Sequence, residues 1–144
     1  MKPGAKYQVL VVGAGHAGIE AALAAARCGS KVALITINKR TIGRMACNPS
    51  IGGLAKGQMV RELDALGGVM GSDADFSGIQ FKILNRTKGR AVWSHRAQVD
   101  KLIYEAYEND RRIQSKGIDV VEAQVSYSVI TDCKIGGVMI VVRY

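Results

Sequence analysis

The chain has 144 residues, 48% hydrophobic and 22% charged, with a net charge of +8. This balance excludes a disordered or fibrous chain, and the length suits one domain or a piece of a larger one. No apolar run approaches the ~20 residues of a membrane span, and residues 1–6 are too few and too polar for a signal peptide. Cys28, Cys47 and Cys133 are widely spaced, which excludes a disulfide framework and a sequence-local zinc ribbon and makes a reducing, cytoplasmic compartment the expectation. The positive charge favours a polyanionic partner without choosing one, and plain solubility accounts for it equally well. Glycine is the outlier, at 17 residues against two prolines, so glycines placed for backbone geometry are expected rather than coil.

Residues 7–12 (Tyr-Gln-Val-Leu-Val-Val) form a nearly continuous apolar run, which predicts a strand covered on both faces of a parallel sheet. A glycine-rich turn follows, then an alanine-rich helix over 19–27 with Gly29 as its C-cap, then a second strand over 31–36. Together they make a βαβ unit with a right-handed crossover. Residues 37–53 read as a long loop, and 54–66 as a helix with Met59, Val60, Leu63 and Leu66 inward, stopped by Gly67 and Gly68. Ile79, Phe81 and Ile83 alternate with Gln80 and Lys82, predicting a strand with one wet face. After a polar, basic connection, residues 96–112 read as a helix with Val99, Leu102, Ile103, Ala106 and Tyr107 inward. A strand over 118–125 and a hairpin of 127–130 with 138–142 complete the pattern. The expected fold is α/β and Rossmann-like, with an incomplete parallel sheet ending in a β-hairpin or meander, all within one domain over 1–144. The chain ends directly after its last strand, and the expectation is that the natural protein continues.

Three features carry chemistry. Gly13-Ala14-Gly15-His16-Ala17-Gly18 has the form G-x-G-x-x-G between a strand and a helix. Gly13 permits the turn, Gly15 admits a pyrophosphate to the backbone, and Gly18 lets helix and strand pack closely. The helix N-terminus supplies N–H groups and a positive dipole end. The competing reading is a turn that serves packing alone. An acid to hold the ribose is expected at the end of the second strand, but Thr36-Ile37-Asn38 stands there, so hydroxyl, amide or backbone groups or a distant acid must serve.

The second feature runs from Met45 to Gly57, where Pro49 and Gly52-Gly53 shape a loop that feeds a helix and carry Cys47 and Lys56 with them. Cys47 is a weak candidate for a catalytic or redox thiol and otherwise a small packing residue. Cys28 reads as core and Cys133 as incidental in a hairpin turn. The third feature is the basic stretch over 82–101, with Lys82, Arg86, Lys88, Arg90, Arg96 and Lys101 against Asp100 alone and with Trp93 and His95 among them. It suits a phosphate backbone and a stacked base, or simply a solvated loop around a buried Trp. No metal site is indicated, since His16 has no second ligand near it in sequence.

In combination these blocks resemble the N-terminal part of the FAD-binding subunit of the tRNA uridine-5-carboxymethylaminomethyl modification enzymes, the MnmG/GidA family. The resemblance rests on Gly13 to Gly18 with Glu20-Ala21-Ala22, on Cys47-Asn48-Pro49 with Ile51-Gly52-Gly53 and Lys56-Gly57, and on Asp64-Ala65-Leu66-Gly67-Gly68. It continues through Gly78-Ile79-Gln80-Phe81, Ile83-Leu84-Asn85, Lys88-Gly89 and Arg96-Ala97-Gln98 with Asp100. Arg90 stands where the family usually has proline, and the match weakens after Tyr127.

The resemblance implies a three-layer FAD-binding fold, of which this chain is a fragment inactive on its own. It implies FAD held by Gly13, Ala14, Gly15, His16, Ala17 and Gly18, with Val125, at the end of a third parallel strand, near the adenine end. It also implies NADH as reductant, methylene-tetrahydrofolate as one-carbon donor, a partner GTPase of the MnmE family, a homodimer, and the wobble uridine of certain tRNAs as substrate. The basic stretch becomes a candidate tRNA or dimer surface. Two alternatives stay open: another glycine-loop flavin oxidoreductase with a redox cysteine, which needs a second cysteine close by, and a non-catalytic nucleotide- or RNA-binding module, which predicts RNA affinity without flavin.

Overall fold

The computed structural model of the chain describes residues 6–45, 48–113 and 115–142. In chain order the elements are β1 (Val9–Val12), α1 (His16–Arg27), β2 (Val32–Thr36), β3 (Ser50–Gly52), α2 (Lys56–Ala65), α3 (Met70–Phe76) and β4 (Gly78–Leu84). They continue with β5 (Ser94–Val99), α4 (Lys101–Ile113), β6 (Ile118–Glu122), β7 (Gln124–Thr131) and β8 (Lys134–Val141). The chain forms two compact units, one from Met1–Gly43 with Asn109–Tyr144, the other from Arg44–Glu108.

The first unit is built on a parallel sheet of order β1-β2-β6. Its central strand β2 is buried at every position, because it has a neighbour on each edge and a layer on each face. Ala33 and Ile35 join Val121 and Ala123 in one cluster, against which Val125, Val138 and Ile140 of the β7–β8 hairpin pack. Val32 and Leu34 alternate to the other face, where α1 buries Ile19, Ala22 and Leu23. Helix, sheet and hairpin are thus three layers of an α/β fold. Two-sided cover, expected of β1, belongs to β2 instead. β1 is an edge strand, with Leu10 37% and Val12 57% exposed.

α1 starts at His16, three residues before the expected helix. It ends in a Schellman arrangement: Gly29, at φ +83°, donates to Ala26 O, and Ser30 N donates to Ala25 O. Cys28, expected in the core, is exposed at the C-cap. β6 stops at Glu122, so Val125 lies in β7, paired with Ile140, and not on a parallel strand. Both hairpin strands have eight residues, longer than expected. Asp132 and Cys133 make the turn at φ +50° and +58°, as a two-residue hairpin loop of matching twist requires.

The second unit pairs β3-β5-β4 antiparallel, with α2, α3 and the first turns of α4 around a core of Met45, Ala74, Val99 and Tyr104. Here the sequence reading is corrected most. The expected long loop contains β3. The expected helix from Arg96 is a strand to Val99, and the helix begins only after Asp100. Asp100 Oδ1 accepts from the N–H groups of Leu102 and Ile103, the bonds of an N-cap. Propensity favours helix across 96–99, but the ladder to β4 overrides it. With that start, α4 buries Tyr104 and Glu108 and leaves Leu102 77% exposed. On α2 Met59 is exposed, as is Leu66 at its C-cap, and Gly57 is the helix's buried position. β4 shows Ile79 and Phe81 to solvent along with Gln80 and Lys82, so it has no single wet face.

Candidate functional site

β1 delivers the chain to Gly13, whose φ of +97° is a left-handed conformation that β-carbon-bearing residues rarely adopt. Gly13 N donates to Ile35 O of β2 at 2.8 Å, pinning the turn to the sheet. The first bond of α1 runs from Ile19 N to Gly15 O, so the N–H groups of Ala17 and Gly18 precede the intrahelical ladder. Gly15, the N-cap, offers no side chain to satisfy them, and the first turn carries no acid.

The three glycines have distinct reasons. A β-carbon on Gly18 would sit 1.9 Å from Gly13 O, inside the loop's own backbone. A β-carbon on Gly13 or Gly15 would meet nothing within 4 Å. Gly15 has φ −76°, which any residue tolerates, so neither strain nor crowding by the described residues requires glycine there. The open space in front of the helix end is what a side chain at Gly15 would occupy.

His16, the first helical residue, is half-buried. Burial pushes its imidazole below the ordinary value of 6.5, and the nearby Glu20 opposes that shift. At the end of β2, Thr36 Oγ1 and Thr41 Oγ1 both donate to Asn38 O, and Asn38 Oδ1 accepts from Arg40 N. The segment where a ribose acid is expected is therefore a turn of hydroxyl and amide groups. The carboxylate in register with Thr36 is Glu122 of β6, exposed at the same edge of the sheet. Sequence reading missed it, since only the strand pairing places it there.

In the second unit, the Asn-Pro and Arg-Ala-Gln blocks are strand neighbours. Ser50 pairs with Gln98 and Gly52 with Arg96, and Val99 N donates to Pro49 O. Asn48, Pro49, Ser50, Arg96 and Gln98 line a polar cavity of 180 Å³. Amide and guanidinium groups there can hydrogen-bond the polar edge of a heterocycle, or an anion. Nearly 50 residues of sequence separate the two blocks, so no local pattern could have joined them. Cys47 lies outside the described residues. The glycines of this block serve packing: a β-carbon on Gly52 would fall 2.3 Å from His95 O, and one on Gly57 3.2 Å from the same atom, while Gly53 N donates to it.

A second cavity, of 360 Å³, includes Val60, Arg61, Asp64, Phe81, Lys82 and Arg96 in its lining. The basic stretch is a hairpin, β4 with β5, and its connection is tied by its own bonds. Trp93 Nε1 donates to Arg86 O and Asn85 Nδ2 to Val92 O, and the Arg90 guanidinium lies 5.8 Å from the Trp93 ring centre. Among the described residues no group of three or more His, Cys, Asp or Glu side chains is placed to hold a metal, and no helix is long and apolar enough to cross a membrane.

A parallel sheet whose first strand runs through a glycine turn into a helix N-terminus defines an α/β, Rossmann-like fold. The family model described as "Glucose inhibited division protein A" matches residues 8–143. The tRNA uridine 5-carboxymethylaminomethyl modification enzyme MnmG of Thermodesulfovibrio yellowstonii is 49% identical over 133 residues, 92% of this chain and 21% of that protein. The Aquifex aeolicus protein of the same name is 56% identical over 122 residues. The crystal structure of Aquifex aeolicus GidA, form II, superposes with a TM-score of 0.91 at 47% identity, covering 97% of this chain and 23% of that one. A P. aeruginosa PqsL variant, 13% identical with a TM-score of 0.63, shares the fold alone. The chain belongs to the GidA/MnmG family and spans about a fifth of the length of the relatives it matches.

Proposed function

We propose that this chain is the FAD-binding portion of a tRNA-modifying flavoprotein. The observation that carries the reading is the glycine loop. The N–H groups of Ala17 and Gly18 ahead of the intrahelical ladder and the open space at Gly13 and Gly15 fit a diphosphate, and a packing-only turn would not need glycine at Gly15. Gly13, Ala14, Gly15, His16, Ala17 and Gly18 would hold the diphosphate. The ribose would meet the hydroxyl and amide groups at Thr36 and Asn38, with Glu122 as the acid in register. Val125 packs its side chain into the sheet's core, so it would reach the adenine through its main chain.

When bound, FAD supplies the redox chemistry. NADH would reduce it in the whole enzyme, and this chain's part is to bind and orient it. The relatives' names support a 5-carboxymethylaminomethyl modification of tRNA uridine; in our reading the target would be C5 of the wobble uridine of certain tRNAs, and an aminomethyl-type group a second product. Methylene-tetrahydrofolate would be the carbon donor, with an MnmE-family GTPase as partner and a cytoplasmic homodimer as the working form. The two compact units would be parts of one FAD-binding domain, with the polar cavity at Asn48, Arg96 and Gln98 available to the substrate's polar edge and Cys47 a candidate thiol beside it in sequence.

The test is flavin retention, read by absorbance and by FAD titration. Gly15→Val should abolish binding while the far-UV CD spectrum and urea midpoint stay near the parent's. Gly18→Ala should instead lower stability by roughly 1–3 kcal/mol, because its β-carbon meets backbone. Undiminished flavin binding by Gly15→Val would remove the loop from the site.

A further inference from the structure

We infer that the β4–β5 hairpin is a preorganised arm that grips the phosphate backbone of RNA. Residues 76–99 contain no Asp or Glu and carry Lys82, Arg86, Lys88, Arg90 and Arg96. None of these cations has an ion-pair partner among the described residues. In the stem, Lys82 of β4 stands directly opposite Arg96 of β5. Like charges in direct register destabilise a strand pair. Asp64 and Asp75 line the cavity these two share, yet neither comes within ion-pair distance of them. The register keeps these two like charges as strand neighbours, and a bound polyanion would offset them.

At the tip, Arg86, Lys88 and Arg90 are all exposed on two successive 3-10 turns. Asn85 at φ +59° and Gly89 at φ +98° set the bends. Lys88 N donates to Asn85 O, Val92 N to Gly89 O and Trp93 N to Arg90 O, and the two side-chain bonds from Asn85 and Trp93 close the loop. A solvated loop needs no such ties. Here they fix the backbone that carries three cations, which lowers the ordering cost of contacting a chain of phosphates. An acidic protein surface would present its charges less regularly, so a nucleic-acid strand is the better match. The inference rests on the tRNA reading above and assigns that partner a surface.

Trp93 is the one tryptophan of the chain, so its emission reports on this arm alone. The experiment titrates the full chain with an unmodified tRNA transcript over a series of salt concentrations, following anisotropy of labelled tRNA and Trp93 fluorescence together. The parent should bind with a Trp93 emission change. The triple variant Arg86→Ala, Lys88→Ala, Arg90→Ala should bind on the order of tenfold or more weakly at low salt, with its log–log salt slope smaller by about 3. A control that removes three exposed cations elsewhere, Arg27→Ala, Lys116→Ala, Lys134→Ala, should keep the parent's slope. Equal loss in the control, or an unaltered slope in the arm variant, overturns the arm while leaving the tRNA reading intact. Failure of the parent to bind tRNA overturns both, and flavin titration of the same sample reads the cofactor assignment separately. Sedimentation of the arm variant gives one further outcome: if it dissociates a dimer of the parent without changing tRNA affinity, the hairpin is a contact between copies and the inference fails.

Discussion

The side chain of His16 lies where the glycine loop becomes helix, and its protonation state follows from its surroundings. Burial lowers its pKa, and Glu20 only partly offsets this. The unfolded chain therefore binds a proton on this residue at a pH where the folded chain does not. Stability from the neutral imidazole is fully present above 6.5 and is lost as pH falls from there through the lower folded value. The urea midpoint should fall between about pH 7.5 and 5.5, and His16→Gln should flatten that part of the curve. A slope unchanged by the substitution would place the titration elsewhere. A neutral His16 also leaves the helix N–H groups and dipole as the attraction this loop offers an anion near neutral pH.

At the scale of single elements, α4 shows how one carboxylate fixes a boundary. Asp100 ends β5, takes the N–H groups of Leu102 and Ile103 on Oδ1, and donates its own N–H to Ser77 O. The apolar spacing over 96–112 suits a helix throughout, and only the strand register to β4 stops it at residue 100. Asp100→Ala should cost about 1 kcal/mol of stability, and Asp100→Ser should restore most of it, both measured as denaturant midpoints. The same element explains the misassigned inner face. Starting at Lys101 turns Tyr104 and Glu108 inward, and Tyr107 stacks on Phe76 with ring centres 4.1 Å apart. The β-strand expectations failed similarly where burial depends on neighbours. β1 and β2 have equally apolar sequences, but only β2 is paired on both edges.

Across the whole molecule, large hydrophobic side chains are exposed in both compact units. On the hairpin alone, Tyr127, Ile130, Ile135, Met139 and Val141 are 45–74% exposed. Such a surface, on a strand pair with open edges, promotes association between copies. Ile130→Lys with Ile135→Lys should reduce dye binding to exposed apolar surface and concentration-dependent light scattering, without altering flavin affinity, since neither residue lies at the glycine loop. Unaltered scattering would place the sticky surface elsewhere, for example around Phe76 and Leu102.

The sequence by itself determined the βαβ start, the turn at Gly13 and the close packing at Gly18, the Gly29 and Gly67 helix ends and the family. All of these are set by local backbone geometry or by residues in fixed short spacing. Only the tertiary structure decided which strand is central, where α4 begins, that Val125 sits on a hairpin, and that the Asn48-Pro49 and Arg96-Ala97-Gln98 segments share one cavity. Those outcomes depend on strand pairing between distant segments, and pairing partners leave no periodic trace in either segment alone. The opposed Lys82 and Arg96 belong to the same class: each is an ordinary surface cation in sequence, and only the register of β4 against β5 sets them face to face.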